Sequence, residues 1–272
     1  KLYVSQPSVS LAIRDIEDEF HVRLFDRISK KLYLTEPGKQ LLEQARYLVG
    51  LYDNLESGMQ NWEQEGFLRV GSSITIGNRF LPHFALEFQK LHPRMRVRAF
   101  VNSSETIENM LVENELDLAL IEGIPHHKKI VSSVFMDDEL IVICANTHPL
   151  AAHDTVTIEQ LVGSDLLLRE KGSGTRELFD NTLRIYGKIA EPVWESVSTQ
   201  ALIRAVAAGL GVSVLPYWLA QEGLAAGKIR RLIIDGVEFK RHDYVIYHED
   251  KYLSQPMRDF IELCMKQKTP VV

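Results

Sequence analysis

Three short turns rich in serine and threonine hold the residues best suited to binding chemistry: Ser72-Ser73-Ile74-Thr75, Gly172-Ser173-Gly174-Thr175-Arg176 and Ser196-Val197-Ser198-Thr199. Each separates an apolar, strand-like run from a helical one. Hydroxyls placed there would join the free amides and the positive dipole end of a helix's first turn, a combination that holds anions. In open α/β sheets ligands also bind beyond the carboxyl ends of the strands, which is where such turns lie. Any one of the three is equally an ordinary N-cap. Together, with glycines and an arginine flanking one of them, they predict a small-anion site made of Ser72, Ser73, Thr75, Gly172, Ser173, Gly174, Thr175, Arg176, Ser198 and Thr199. Arg176 or Arg169 would balance the charge. Glu122 and Gly123 come after another strand-like run and are expected as a solvated strand end beside this cleft.

A second constellation sits at the other end of the chain. Ser5 is a good N-cap and Pro7 is tolerated in a first helical turn, where no amide bond is lost. Val9, Ile13, Ile16 and Phe20 then repeat at helical spacing as a stripe that calls for burial. The opposite face carries Ser5, Gln6, Pro7, Ser8, Ser10 and Arg14, short polar side chains that reach base edges in a DNA major groove, with an arginine for guanine or phosphate. Further on, Arg27, Lys30 and Lys31 lie in and beside a polar turn between two short extended pieces, a wing whose charges would sit on phosphates. A capped surface helix with a hairpin after it remains the plain alternative. Net charge does not decide between them, since residues 1–46 hold eight Lys/Arg against seven Asp/Glu.

Catalytic patterns are missing from the sequence: it has no Gly-x-Ser-x-Gly elbow, no His-Glu-x-x-His pair and no Gly-x-x-x-x-Gly-Lys loop. No enzymatic role, cofactor or metal is expected. His126-His127 lacks further ligands at metal spacing. Cys144 and Cys264 are too few and too isolated for a disulfide framework and are expected as buried thiols.

Periodicity outlines the scaffold on which these residues would sit. With 272 residues, 45% hydrophobic, 25% charged and a net charge of −6, the composition suits about two globular domains. No apolar run approaches the ~20 residues needed to span a bilayer, and no signal peptide precedes the first helix, so a cytoplasmic location without membrane contact is expected. Beyond Pro37, Leu41, Ala45, Leu48, Tyr52, Leu55, Met59 and Trp62 alternate spacings of four and three. A seam that narrow pairs two helices and predicts a homodimer, the alternative being one amphipathic helix packed on its own domain. After Gly66, strand-like runs at Phe67 to Ser72, Arg96 to Val101, Leu116 to Ile121 and Leu140 to Cys144 alternate with helical stretches, as do Leu166 to Arg169, Val193 to Val197, Val212 to Leu215 and Ile229 to Ile234. Such alternation implies α/β architecture with a parallel sheet, here as two subdomains with a cleft between them.

Val4-Ser5-Gln6-Pro7-Ser8-Val9-Ser10 with Ile13, Ile16 and Glu17, then Leu24-Phe25-Asp26-Arg27, then Leu34-Thr35-Glu36-Pro37-Gly38, resemble the LysR-type transcriptional regulators. The likeness continues through Val70-Gly71-Ser72, Leu116 to Leu120 and Gly209-Leu210-Gly211-Val212. It implies a partial winged helix-turn-helix over residues 1–36, a linker helix over 37–66 and a two-lobed, periplasmic-binding-protein-like effector domain over 67–272. Lobe I would comprise about 67–144 and 245–272, lobe II about 145–244. The implied function is promoter binding as a homo-oligomer, commonly a tetramer that works with RNA polymerase, under control of a small molecule in the cleft. The turn Glu170 to Arg176, with Ser72 to Gly77, resembles the subset associated with sulfur assimilation or carbon fixation, which implies a sulfur oxyanion or another small anion as effector. Two departures stand out: His21 occupies the place of a family glycine, and the first family helix is absent, so the sequence is expected to be incomplete at its start. A solute-binding receptor without DNA binding would share the cleft, but not the heptad linker or the winged helix.

Overall fold

The computed structural model describes residues 5–29, 31–60 and 66–266, without the side chains of 54–60. Val4, Lys30 and Trp62 and the side chains of Leu55 and Met59 thus lie outside the described residues. The chain divides into two compact units, Lys1–Trp62 and Glu63–Val272.

The first unit is a helix, a hairpin and a long helix. α1 (Gln6–Phe20) begins at Ser5, whose side chain accepts from the Ser8 amide, and ends at His21 in the left-handed region at φ 53. That region favours glycine, so a side-chain-bearing residue at this turn carries backbone strain. Glu17 organises the entry into the hairpin: its Oε1 accepts from the Leu24 amide at 2.7 Å and the Phe25 amide at 3.3 Å. β1 (Phe25–Ile28) and β2 (Lys31–Leu34) pair antiparallel. Thr35 caps α2 (Glu36–Gln60) by accepting from the Gly38 amide at 3.1 Å. Gly38 is needed there because any side chain would run into the Leu24 carbonyl oxygen.

The stripe expected to be buried is covered only in its middle: Ile13 and Ile16 are half-buried, while Val9 and Phe20 at its two ends are 44% and 64% exposed. On α2, Leu48 and Tyr52 are likewise exposed, at 62% and 63%.

The second unit runs β3 (Gly66–Ser73), α3 (Ile74–Arg79), α4 (Leu81–Leu91), β4 (Met95–Asn102), α5 (Ser104–Val112), β5 (Leu118–Glu122) and β6 (Ile130–Cys144). A 3-10 turn at Pro149–Ala152 leads to β7 (Thr155–Val156), α6 (Ile158–Val162), β8 (Leu166–Arg169), α7 (Gly174–Ile185), β9 (Pro192–Ser196) and α8 (Thr199–Ala207). The chain ends with β10 (Ser213–Pro216), α9 (Tyr217–Ala225), β11 (Arg230–Ile234), β12 (Phe239–His248) and α10 (Gln255–Lys266). One sheet has the order β4-β3-β5-β12-β6-β11-β7, with β10 also on β6, while β8 and β9 pair separately. Only part of it is parallel. β3 is parallel to β4 and β5, but β12 runs antiparallel to both β5 and β6.

β6 and β12 are the two long strands, and both are longer than their apolar runs suggest. The first half of β6 ends in Asp137-Asp138-Glu139, which hides the strand, yet Asp137 and Asp138 stand opposite His242 and Arg241 of β12. Cross-strand charge pairs hold what hydrophobicity does not. Phe135 and Met136 pack in a core with Leu68, Phe84, Phe88 and Phe260. Leu140, Val142 and Cys144 pack in another with Leu166, Phe179 and Val214. β6 therefore passes from one core to the other in mid-strand, whereas the sequence reading kept all of 67–144 with the first. Both cysteines are buried, and burial pushes both thiols up from their usual range.

Candidate functional site

Register places the candidate residues on one edge. Ser73 of β3 pairs with Asn102 of β4, and Ser72 with Leu120 of β5. Parallel strands end together, so Ser73, the Ser103-Ser104 start of α5 and Glu122 meet at the carboxyl edge of this sheet. The start of α7 comes to the same edge. The Glu105 amide donates to the Gly172 carbonyl at 3.2 Å, and a Cβ on Gly174 would stand 2.5 Å from the Glu122 carbonyl oxygen and 3.3 Å from Ser104 Oγ. Gly172, at φ 85, supplies the positive backbone angle that turns the chain into α7.

Four hydroxyls on these elements are buried without a hydrogen-bond partner among the described residues: Ser73, Thr75, Ser104 and Ser173. Buried polar atoms are nearly always paired, so each calls for an explanation. The other expected hydroxyls are engaged. Ser72 Oγ donates to the Ser73 carbonyl at 3.0 Å, Thr175 Oγ1 accepts from Arg241 Nη1 at 3.1 Å, and Thr199 Oγ1 accepts from Arg169 Nη1 at 3.3 Å. Ser198 is an exposed N-cap that accepts from the Ala201 amide at 3.2 Å. Arg176 is tied to Asp180 at 2.9 Å and to Glu195 and the Arg169 carbonyl at 3.1 Å, and Arg169 to both oxygens of Glu170. Neither arginine faces the edge as a free cation.

Glu122 corrects the expectation of a solvated strand end, being only 4% exposed. Its Oε1 lies 3.8 Å from Arg241 Nη2, and Arg241 is bound through Nε and Nη2 to Asp138 Oδ2 at 2.8 and 2.6 Å. Burial first, then the neighbouring Asp138, pushes the Asp243 carboxyl well above the usual range. Burial also raises Asp138, against the pull of Arg241. Ser104 and Arg241 were both missed in the sequence. Asn102-Ser103-Ser104-Glu105 carries the same strand, serine, helix order as the three Ser/Thr-rich turns, whereas nothing local marks Arg241.

An open cleft of about 820 Å3 adjoins this region, lined among others by Gly123, Ile124, Tyr217, Trp218, Lys240 and Tyr244; of the expected ligand residues only Gly174 lines it. On its rim, His126 Nε2 lies 2.8 Å from Glu177 Oε1, while the His126 and His127 amides donate to Glu108 Oε1 at 2.9 and 2.7 Å. Among the described residues no group of three His, Cys, Asp or Glu is placed to hold a metal ion.

In the first unit, Gln6, Ser8 and Arg14 are exposed on α1, with Gln6 Nε2 donating to Ser10 Oγ at 3.0 Å. Arg27 of β1 and Lys31 of β2 are exposed on the hairpin. The arrangement presents polar donors and acceptors on a helix, with cations on an adjoining hairpin.

The sequence matches the bacterial regulatory helix-turn-helix protein, lysR family, over residues 1–39 and the LysR substrate binding domain over residues 63–268. It is 33% identical to the uncharacterized HTH-type transcriptional regulator YeiE of Escherichia coli K12, over 99% of this chain and 91% of that protein. It is 29% identical to the RuBisCO operon transcriptional regulator of Allochromatium vinosum, over 98% of this chain and 89% of that protein. Among solved structures, the Synechocystis CcmR regulatory domain in complex with 2-PG superposes with a TM-score of 0.68 at 30% identity, covering 74% of this chain and 97% of that one. A helix-turn-helix unit joined to a two-core α/β ligand domain, with relatives of this kind along nearly its whole length, places the chain in the LysR family of DNA-binding transcriptional regulators with a small-ligand effector domain.

Proposed function

We propose that the effector is a small anion, held where β3, β4 and β5 end against the start of α7. The observation that carries this reading is the set of four buried hydroxyls without partners, Ser73, Thr75, Ser104 and Ser173, beside the first turns of α5 and α7. Thr175 and Thr199 extend the set through Arg241 and Arg169. Neutral donors at helix starts bind anions without a counter-charge, because amide dipoles and hydroxyls share the charge. A sulfur oxyanion, a phosphorylated compound and a small carboxylate all present suitable oxygens. The 2-PG complex of the Synechocystis relative supports the same class.

On this reading residues 1–36 read promoter DNA, with Gln6, Ser8 and Ser10 on bases and Arg27, Lys30 and Lys31 on phosphates. Residues 37–66 pair two chains. Residues 67–272 form two lobes meeting where β6 and β12 pass between the cores, at Met136 to Leu140 and Phe239 to Tyr244. Closure of these lobes on the anion would be passed through a tetramer, in the cytoplasm, to the spacing of the recognition helices and to contacts with RNA polymerase. The test is calorimetric titration of the whole chain with sulfate, sulfite, phosphate and small carboxylates, on the wild type and on Ser173→Ala. Binding below about millimolar that weakens roughly five- to 100-fold in the variant is expected, from the ~1–3 kcal/mol of one hydrogen bond to a charged group. If none of these anions binds, the anion reading fails.

A further inference from the structure

The edge that carries the unpartnered hydroxyls also carries unpartnered acceptors. Glu122 Oε1, Asp138 Oδ1 and Asp243 Oδ1 are buried with no hydrogen-bond partner among the described residues. Strand register brings them together: Asp243 of β12 stands opposite Glu122 of β5, and Arg241 opposite Asp138 of β6. Three carboxyl groups thus surround one guanidinium, whose Nε and Nη2 are already bound to Asp138 and whose Nη1 is bound to Thr175.

Arg241 links Glu122 to the hydroxyl side: its Nη1 donates to Thr175 Oγ1 at 3.1 Å and its Nη2 lies 3.8 Å from Glu122 Oε1, while the main chain of Glu122 packs against Gly174 at the start of α7. A carboxylate in that position repels an incoming anion unless a proton lies between the two. Bare donors alone would describe a site for any oxyanion. Unpartnered donors together with a carboxylate oxygen that accepts no hydrogen bond among the described residues describe a ligand that both accepts and donates.

We propose that this site selects small anions bearing a hydroxyl or acidic proton of their own and discriminates against anions without one. Ser73, Thr75, Ser104 and Ser173 donate to the anionic oxygens, while the Glu122 carboxylate accepts from the ligand's O–H. The inference rests on the proposal of an anionic effector and adds Glu122 as the residue that sets specificity. Asp243, opposite Glu122 in the strand register, adds a second buried carboxyl oxygen without a hydrogen-bond partner among the described residues.

The experiment is calorimetric titration of the whole chain near neutral pH with two matched probe pairs, glycolate against acetate and hydrogen phosphate against sulfate. The first member of each pair should bind at least about tenfold more tightly, because a site built to bond an O–H leaves its acceptor unpaired with the analogue lacking it. In Glu122→Gln the amide removes the charge and offers an N–H, so acetate and sulfate should gain affinity and both ratios should fall toward one. A gain of affinity cannot come from a misfolded variant. Should Glu122→Gln not fold, Ser104→Ala leaves the carboxylate in place and should weaken both members of a pair by a common factor, preserving the ratio. Equal affinities within both wild-type pairs would overturn the specificity and leave the anion site standing. Absence of binding by all four probes would overturn both readings, and unchanged ratios in Glu122→Gln would overturn the assignment to Glu122.

Discussion

Arg241 Nη1 donates to Thr175 Oγ1 at 3.1 Å, joining the long strand β12 to the first turn of α7. Both residues are buried. Thr175 therefore has a structural duty that its place in a Ser/Thr-rich turn does not reveal. Thr175→Val leaves a buried guanidinium N–H without an acceptor, at a cost of about 1–3 kcal/mol. The ligand-free protein should lose that much stability in urea unfolding. Ser173→Ala deletes a hydroxyl that accepts or donates no bond among the described residues and should leave the same transition nearly unmoved. Equal loss in both variants would mean that the two hydroxyls are not distinguished as described.

Thr175 and Ser173 also mark where the sequence was legible and where it was not. Short-range signals carried through. Ser5 caps α1, Thr35 and Gly38 fit the start of α2, and the turns at Ser73 and Ser173 lie on buried ends of strands and helices. Such features depend on neighbours a few residues away. The carboxyl cluster does not: Glu122, Asp138 and Arg241 are brought together only by the pairing of β5, β12 and β6. In sequence, Asp137-Asp138-Glu139 falls outside the apolar run that starts at Leu140, and Glu122 reads as a solvated end, because charged side chains are mostly exposed. Only long-range register converts them into buried partners of one arginine. The exposed Val9 and Phe20 mark the converse case, an apolar period that reports the need for a partner but not which one.

His21 offers a test of backbone strain. At φ 53 it holds a conformation that costs a side-chain-bearing residue roughly 1–2 kcal/mol and glycine almost nothing. His21→Gly also adds freedom to the unfolded chain, which offsets about half of the gain. A net stabilisation of about 0.5–1 kcal/mol is expected, read from denaturant unfolding of the helix-turn-helix unit. A destabilised variant would show that the imidazole makes a contact worth more than the strain.

The α2 seam makes a prediction about assembly. Leu48 and Tyr52 are 62% and 63% exposed on the single chain, so charges there should cost the monomer little. In a paired helix the same charges would be buried without partners, at several kcal/mol. Leu48→Asp with Tyr52→Asp should lower the mass seen by light scattering while circular dichroism stays unchanged. An unaltered mass would place the chain-to-chain contact elsewhere.

The pair between His126 and Glu177 should make stability depend on pH in a defined direction. His126 lies beyond β5, and Glu177 lies in the first turn of α7, so their 2.8 Å contact ties α7 to the first core's loops. The hydrogen bond to Glu177 raises the imidazole above its ordinary value against partial burial, with Glu108 and Glu105 of α5 adding to the effect. A raised folded value means that the contribution is fully present below the unfolded pKa, near 6.5, and is lost as pH rises through the folded one. Because His126 is largely exposed, solvent screening keeps the contribution small. The measurement is the stability difference between the wild type and Glu177→Gln across about pH 5.5 to 8.5. The wild type should be the more stable at the acidic end, and the difference should close toward the alkaline end. A difference that is flat, or that grows with pH, would mean that the pair forms without a proton on His126 and that α7 is held at this edge by the Glu105 to Gly172 and Arg241 to Thr175 bonds instead.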